Sequence, residues 1–117
     1  MAVYVDNAKH RVGRLVCSHM WADDEAELLA MCDTIGFNRM WVQRPGMKKV
    51  RWLHCDVSQM MKARAIEAGA IQTDNYGPLE HVSKLTLANP DAPEHAKAQA
   101  RARINMVAQY RARRKAA

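Results

Sequence analysis

The distribution of charge divides this chain into two parts of different character. Residues 1–94 contain 11 Lys/Arg and 12 Asp/Glu, whereas residues 95–117 contain seven Lys/Arg and no acid. The basic segment also holds eight alanines, a composition with strong intrinsic helicity. Its apolar residues do not form a separate helical face, which argues against a membrane-surface helix. We therefore expect a folded domain followed by a basic helix.

Composition limits the class of protein. Hydrophobic residues make up 49% and charged residues 26%, which excludes a wholly disordered or fibrous chain. No stretch approaches the roughly 18–20 apolar residues of a membrane span, and the N-terminus lacks the pattern of a secretory signal. The three cysteines, Cys17, Cys32 and Cys55, are odd in number and widely spaced, as reduced thiols usually are. We expect a cytoplasmic protein with no membrane partner.

The hydrophobic pattern predicts an α/β (or α+β) fold. Short β-branched and aromatic runs predict strands, and apolar residues at helical spacing predict helices. The expected strands are 2–6, 15–22, 40–43, 50–57 and 70–73, and the expected helices are 25–35, 59–68 and 91–117. This order favours a small mixed sheet of four to five short strands with two packed helices, plus a basic C-terminal helix. The expected divisions are a domain 1–75, a linker 76–90 and a tail 91–117.

Capping signals support the two helices of the domain. Asp24, with Glu27 three residues later, is typical of a capping box, and Gly36 can end that helix in the left-handed conformation. Ser58 can cap the second helix, which is expected to stop before Gly69. The polar residues 7–13 predict a loop.

The candidate catalytic residues are two histidines and two aspartates. His54 and Asp56 are two residues apart, so on a strand they project from one face. His19 and Asp6 lie on predicted strands of the same sheet. An imidazole and a carboxylate so placed can share a proton, or orient a water or a phosphate.

Two basic residues, Arg14 and Lys62, can supply positive charge to an anionic substrate. Together with the histidines and aspartates they suit phosphoester, nucleotide or glycosyl chemistry. The alternative is structural: Asp56 caps the following helix, and His19 and His54 are half-buried residues without a chemical role.

We expect no metal and no cofactor. Cys17, His19, His54, Cys55 and Asp56 are all of ligand types, but no Cys-x-x-Cys or His-x-x-x-His spacing occurs. Neighbours on a strand point to opposite faces, so Cys55 and Asp56 cannot easily reach one ion. No glycine-rich segment matches the phosphate-binding or dinucleotide-binding loops.

The basic tail indicates a polyanion partner. Its candidate nucleic-acid contacts are Lys97, Arg101, Arg103, Arg111, Arg113, Arg114 and Lys115. At about −0.9 per phosphate on duplex DNA, about five to seven contacts predict a salt slope of about −5 to −6. No docking motif presents base-reading side chains, so we expect non-specific binding to DNA or RNA. The alternative is a solvated helix end without a partner.

Three groups of motifs give the chain a resemblance to a known family. The first is Val3-Tyr4-Val5-Asp6. The second contains Gly13-Arg14, Ser18-His19-Met20, Ala22-Asp23 and Glu27-Leu28. The third contains Trp41-Val42-Gln43, His54-Cys55-Asp56 and the helix end from Lys62 to Ala70. In order and spacing, residues 3–73 resemble the domain of unknown function 4031 family of small bacteriophage and bacterial proteins.

The resemblance implies positions rather than a reaction. Those positions are Asp6, Arg14, His19, Gln43, His54 and Asp56. The family usually has Tyr-Val-Asp-Asp, Trp-Phe-Gln, His-Tyr-Asp and Lys-Arg. The differences here are Asn7, Val42, Cys55 and the separated Lys62 and Arg64. Asn7 removes an acid that a paired-carboxylate mechanism needs. A phage origin would place the protein in the host cytoplasm.

We therefore expect a small phage-encoded protein that binds a nucleotide or nucleic-acid-like anion through the His/Asp/Arg site, with the tail adding non-specific affinity. The first alternative is a small hydrolase or transferase that uses His19 and His54 as acid and base on a phosphorylated or nucleotide substrate. The second is a host-protein interaction factor that uses the tail and exposed tryptophans. Convergence of the two histidines and two aspartates in one site favours the anion site and the enzyme.

Overall fold

The computed structural model describes residues 2–116, which divide into two compact units after Asn75. The first unit contains β1 (Val3–Val5), β2 (His10–Val12), β3 (Leu15–Ala22), α1 (Glu25–Ile35), β4 (Cys55–Ser58), α2 (Gln59–Glu67) and β5 (Ile71–Gln72). The second contains α3 (Gly77–Ala88) and α4 (Glu94–Ala116). The mixed sheet with its helices confirms the α/β prediction. Within residues 2–116, no helix is long and apolar enough to cross a membrane.

Strand β3 is the centre of the sheet. Strands β1 and β2 pair antiparallel with one edge of β3, and β4 pairs antiparallel with the other, because Met20 has both Val5 and Cys55 as cross-strand partners. Strand β5 runs parallel to β1 on its outer side. The register of β3 and β4 sets His19 opposite Asp56. Directly opposed residues project from the same face, so this pairing joins residues far apart in the sequence.

A bulge separates β1 from β2. The register shows that four residues, 6–9, face only two residues of β3, 18 and 19. The Ser18 hydroxyl donates to the carbonyl oxygen of Ala8 at 2.7 Å and holds the bulge closed. Bulges redirect side chains and are over-represented beside active sites. Here the bulge begins at Asp6, the first of the predicted site residues.

The two helices of the first unit cover one face of the sheet. Val5, Met20 and Val57 of the strands pack there with Leu28 of α1 and Ala65 of α2, and all five are fully buried. Burying one such aliphatic side chain contributes about 1.5–3 kcal/mol. Because side chains alternate along a strand, the residues between these point to the opposite face of the sheet. The core is therefore separate from the face that carries the candidate polar residues.

The predicted helix caps are confirmed. The Asp24 side chain accepts from the Glu27 N–H at 2.8 Å, and Gly36 ends α1 at φ 81°, in the left-handed region. The Ser58 hydroxyl accepts from the Met61 N–H at 3.3 Å and caps α2. The starts of both helices could therefore be predicted from a short polar residue whose side chain accepts from the N–H three residues later.

Three local predictions in the first unit are wrong, the third only in part. The segment expected to be a loop, 7–13, contains β2, because Gly13 at φ 61° allows a tight turn into β3. The expected strand 40–43 is instead a 3-10 turn, Arg39–Trp41, which starts where the Asn38 side chain accepts from the Met40 N–H at 2.9 Å. Of the expected strand 50–57, only the last part belongs to β4.

The segment 76–90 also differs from expectation, since it contains the twelve-residue helix α3 in place of a linker. Pro78 lies in the first turn of α3, where its missing N–H costs no hydrogen bond. The proline therefore starts a helix rather than interrupting the fold. Helix α4 begins at Glu94 and not at Asp91, whose N–H is held by the Asn89 side chain at 3.0 Å.

In the second unit, α3 and α4 pack on each other in antiparallel directions. Val107 of α4 is fully buried. Towards the end of α4, the rings of Tyr76 and Tyr110 stack with centroids 5.5 Å apart, and Arg111 donates to Glu80 at 2.9 Å. These contacts join the first turn of α3 to the last turns of α4.

Candidate functional site

A polar cluster lies on the sheet face opposite α1 and α2. His19 of β3 and Asp56 of β4 are cross-strand partners, and His54 precedes Asp56 by two residues, on the same face. Asp6 joins them from the end of β1, where its backbone N–H donates to the His19 carbonyl oxygen at 3.1 Å. His10 of β2 completes the group. We refer to these three histidines and two aspartates as the histidine cluster.

The buried carboxylate of Asp6 pairs with the partly exposed imidazole of His19. The Nδ1–H of His19 donates to Asp6 Oδ2 at 2.6 Å, and Asp6 Oδ1 accepts from the backbone N–H groups of His19 and Ala8 at 2.9 and 3.1 Å. Burial alone raises the pKa of Asp6, but these hydrogen bonds outweigh it and hold the pKa below its ordinary value. The bond to Asp6 also raises the pKa of His19, against the effect of burial.

His54 has the opposite electrostatic setting. Its Nδ1 lies 2.8 Å from the Trp52 carbonyl oxygen, which can only accept, so Nδ1 carries the proton and Nε2 keeps its lone pair. Burial lowers the pKa of His54 below its ordinary value, and the charges of His19 and His10 act in the same direction. The Trp52 ring stacks on His54 at 4.2 Å. His54 Nε2 lies 3.8 Å from Asp56 Oδ1.

Asp56 connects two further side chains to the cluster. Its Oδ1 lies 3.2 Å from His10 Nε2, and its Oδ2 accepts from the side-chain amide of Gln43. Paired backbone hydrogen bonds of 2.9 and 3.1 Å tie Gln43 to His54 and fix the position of that amide. The alternative role of Asp56 as a helix cap is wrong, because Ser58 caps α2. Gln43 holds Asp56 in place.

His10 is the member of the cluster that sequence reasoning missed. Its ring stacks on that of His19, with centroids 4.6 Å apart. The polar character of residues 7–13 hid the strand on which it lies. A signal was present, because a tight turn at Gly13 pairs His10 with Cys17 and so places it on the face of His19.

Three members of the cluster can offer atoms to a single metal ion. One ligand atom each of His10, His19 and Asp56 lies within 4.8 Å of the other two. Since Nδ1 of His19 donates to Asp6, Nε2 is the nitrogen that remains available to an ion. Cys55 lies in the core on the other face, as strand alternation requires.

A cleft of about 360 Å³ opens beside Asp56 and Gln43. Most of its wall is apolar, with side chains from the β2–β3 hairpin, the segment 37–41 and α2; among them are Val12, Leu15, Phe37, Trp41 and Met61. Trp41 is 63% exposed although it is a large aromatic residue. An apolar wall with a few convergent polar groups is typical of a small-molecule site.

The structure does not bring Arg14 or Lys62 into the cluster. Arg14 lies at the tip of the β2–β3 hairpin, five residues before His19, which is about 16 Å at about 3.3 Å per residue. Lys62 lies in α2. Across the described residues, no lysine or arginine forms a hydrogen bond or an ion pair with the cluster.

The basic residues of α4 differ in whether they are paired with a carboxylate. Arg101 pairs with Glu94 at 2.8 Å, and Arg111 pairs with Glu80 at 2.9 Å. The other cations have no carboxylate partner within residues 2–116; they are Lys97, Arg103, Arg113, Arg114 and Lys115. The sequence count of seven available cations is therefore reduced to five.

Comparison with known proteins identifies a family. The family model described as "Protein of unknown function (DUF4031)" matches residues 3–85, more than half of the chain, so the chain belongs to this family. The match extends past the expected residues 3–73 into α3. No curated protein and no solved structure matches the chain.

Proposed function

We propose that this member of the DUF4031 family is a hydrolase or transferase that acts on a phosphorylated or nucleotide substrate at the histidine cluster. The observation that carries the proposal is the convergence of Asp6, His19, His54 and Asp56 from three separate segments of the chain. The hydrophobic core packed against α1 and α2 lies on the other face of the sheet. Burying polar groups costs free energy, so a cluster of this kind is better explained by chemistry than by stability.

His54 is suited to accept a proton. Its Nδ1–H is held by the Trp52 carbonyl oxygen, so the lone pair on Nε2 is free to take a proton from a water or a hydroxyl group. Because this tautomer is set by a backbone group, it does not depend on the substrate. We therefore assign His54 as the general base.

His19 is suited to the electrophilic role. Its bond to the buried carboxylate of Asp6 stabilises positive charge on the ring, and Nε2 can act on a phosphoryl oxygen. The ring centroids of His19 and His54 are 5.8 Å apart, so one substrate atom can be reached from both. Asp56 and Gln43, which are hydrogen-bonded to each other, line the cleft next to the histidines.

The cleft beside Asp56 favours a substrate with an aromatic or apolar part. A nucleobase satisfies this requirement, since it can stack on the exposed ring of Trp41 while its phosphate lies at the histidines. Stacking of a base on an aromatic side chain contributes about 1–3 kcal/mol. Nucleotides are therefore the first substrates to test.

The second unit supports a further role, non-specific affinity for a polyanion. Five cations of α4 have no carboxylate partner in the described chain, and neutralising about five phosphates predicts a salt slope of about −4.5 on duplex DNA. This role is independent of the histidine cluster and is tested separately.

Turnover by the full chain tests the enzymatic proposal. The probes are bis(p-nitrophenyl) phosphate, nucleoside monophosphates and short oligonucleotides, with and without added Zn²⁺. His54→Gln is expected to lower kcat by about 10²–10⁴-fold, because it removes the proton acceptor. His95→Gln is the matched control, since His95 is exposed on α4, and it should keep wild-type kcat. The proposal is wrong if wild type turns over none of the probes, or if His54→Gln retains full activity.

A further inference from the structure

The charge balance of the histidine cluster leaves an anionic substrate without a cation. Asp6 and Asp56 bring two carboxylates, and a positive charge on His19 is already paired with Asp6 at 2.6 Å. No lysine or arginine among the described residues pairs with the cluster. A phosphoryl group beside an uncompensated carboxylate is repelled unless another cation is present. A bound cation therefore strengthens the affinity of the cluster for the proposed substrate.

We propose that His10, His19 and Asp56 bind a divalent transition-metal ion of the Zn²⁺ class. Their ligand atoms lie within 4.8 Å of one another, and His10 Nε2 and Asp56 Oδ1 are 3.2 Å apart. With zinc–ligand distances of about 2.0–2.1 Å at the tetrahedral angle, two ligands of one ion are about 3.4 Å apart. His10 Nε2 and Asp56 Oδ1 are already at about this separation, and the widest pair has to approach by at most about 1.4 Å. Rotation about the side-chain torsions of the ligands has to supply this movement.

Two of the three ligands, His19 and Asp56, are held from behind as in metal sites, whereas the buried Nδ1 of His10 has no hydrogen-bond partner among the described residues. A metal-bound histidine almost always donates its other ring N–H to a carboxylate, a carbonyl or a water, which fixes its tautomer and orientation. The Nδ1–H of His19 donates in this way to the fully buried Asp6, so Nε2 is directed to the site. Asp56 is likewise held by the amide of Gln43. This second layer is an observation independent of the spacing of the ligand atoms.

The ligand types select the class of ion. Mg²⁺ and Ca²⁺ prefer oxygen ligands, whereas imidazole suits Zn²⁺ and its neighbours in the first transition row. Three protein ligands leave one tetrahedral position open, as in catalytic rather than structural zinc sites. His54, with Nε2 3.8 Å from Asp56 Oδ1, lies beside the site without being needed as a ligand.

The role of the ion rests on the proposed function, but its binding does not. When bound, the ion supplies Lewis-acid polarisation of a phosphoryl oxygen. In hydrolysis, the oxygen of water forms the new bond to phosphorus as the bond to the leaving oxygen breaks. The proton of that water goes to His54 Nε2, and the leaving oxygen takes a proton from solvent. His19 then acts as a ligand of the ion, and the ion takes over the electrophilic role.

Calorimetric titration of the tag-free, EDTA-treated full chain with Zn²⁺ tests the site. We expect one equivalent to bind. His10→Gln should weaken affinity at least about 10-fold by removing a ligand, and Asp6→Asn by about 10–100-fold by removing the group that orients His19. His95→Gln is the control and should bind like wild type. A long-range ¹H–¹⁵N spectrum of the wild-type imidazoles needs no substitution and so cannot be affected by misfolding of a variant. Zn²⁺ should shift the Nε2 resonances of His10 and His19 and leave those of His95 unchanged.

The outcomes separate this inference from the proposed function. Absence of Zn²⁺ binding, or binding that His10→Gln leaves unchanged with His19 unshifted, overturns the metal site. In that case turnover in EDTA would still support the proposed function, with His19 in the electrophilic role. Binding of Zn²⁺ without turnover of any probe supports the metal site and contradicts the proposed function.

Discussion

Replacing Asp6 with asparagine changes one buried oxygen to an amide nitrogen and preserves the shape of the side chain. Asp6 Oδ1 accepts two backbone N–H groups, and Oδ2 accepts the Nδ1–H of His19. In Asp6→Asn the amide oxygen can keep both backbone donors, so the NH₂ group replaces Oδ2. Two N–H donors then face each other, and His19 has to move its proton to Nε2 and accept at Nδ1. The variant therefore reverses the tautomer of His19.

The energetic cost follows from the bond that is lost. A hydrogen bond involving a charged group contributes about 1.5–3 kcal/mol, and the new neutral bond recovers part of it. We expect Asp6→Asn to lose about 1–2 kcal/mol of unfolding free energy. With a urea m-value of about 1–2 kcal/mol/M, the midpoint should fall by about 1 M.

This difference should depend on pH when EDTA keeps the protein free of metal. The pKa of Asp6 is lower in the folded state than in the unfolded chain. Asp6 therefore contributes to the free energy of unfolding above its ordinary pKa of about 4, and this contribution is lost as pH falls through the folded pKa. The pKa of His19 is raised in the folded state. The contribution of His19 to the free energy of unfolding is therefore fully present below about pH 6.5 and is lost as pH rises through the folded pKa. The difference should be largest between about pH 4 and 6.5.

Urea unfolding near pH 5.5, together with a long-range ¹H–¹⁵N spectrum of the imidazoles, measures both effects. Asp33→Asn is the control, because Asp33 pairs with Arg39 on the surface and should change stability by less than about 1 kcal/mol. If Asp6→Asn unfolds at the wild-type midpoint and His19 keeps its proton on Nδ1, the account of this pair is refuted.

Three further perturbations test other parts of the account. Ser58→Ala removes the cap of α2 and should cost about 1 kcal/mol in urea unfolding; an unchanged midpoint would contradict the role of the cap. Gly36→Ala should lower the free energy of unfolding by about 1–2 kcal/mol, because φ is 81° there while the added Cβ meets only ordinary contacts. An unchanged free energy of unfolding would contradict the view that this left-handed position requires glycine. The triple change Arg103→Gln, Arg114→Gln and Lys115→Gln should make the salt slope for duplex DNA less negative by about 2.7, and an unchanged slope in fluorescence anisotropy would contradict the role of α4.

Much of the fold was predictable where a local rule decides the structure. The Asp24 and Ser58 caps depend on a side chain three residues from its partner, so short sequence windows contain all the information. The shared face of His54 and Asp56 depends only on strand alternation. His54 and Asp56 could therefore be paired as candidates without knowing the strand order.

The remainder depends on tertiary structure that local patterns do not encode. His10 joins the cluster because a bulge at residues 6–9 lets β2 continue along β3, and no composition signal marks a bulge. Arg14 was a reasonable candidate cation until the hairpin placed it at the far end of β3. A proline such as Pro78 is compatible with a linker or with the first turn of a helix. The helix forms here because α3 packs on α4, which the local sequence does not show.

The most direct test of the central claim is the imidazole spectrum of the full chain during titration with a nucleoside monophosphate. The account predicts that the Nε2 resonances of His19 and His54 shift together and saturably, while that of His95 on α4 does not move. Shifts confined to His95, or none at any histidine at saturating nucleotide, would contradict a substrate site at the histidine cluster.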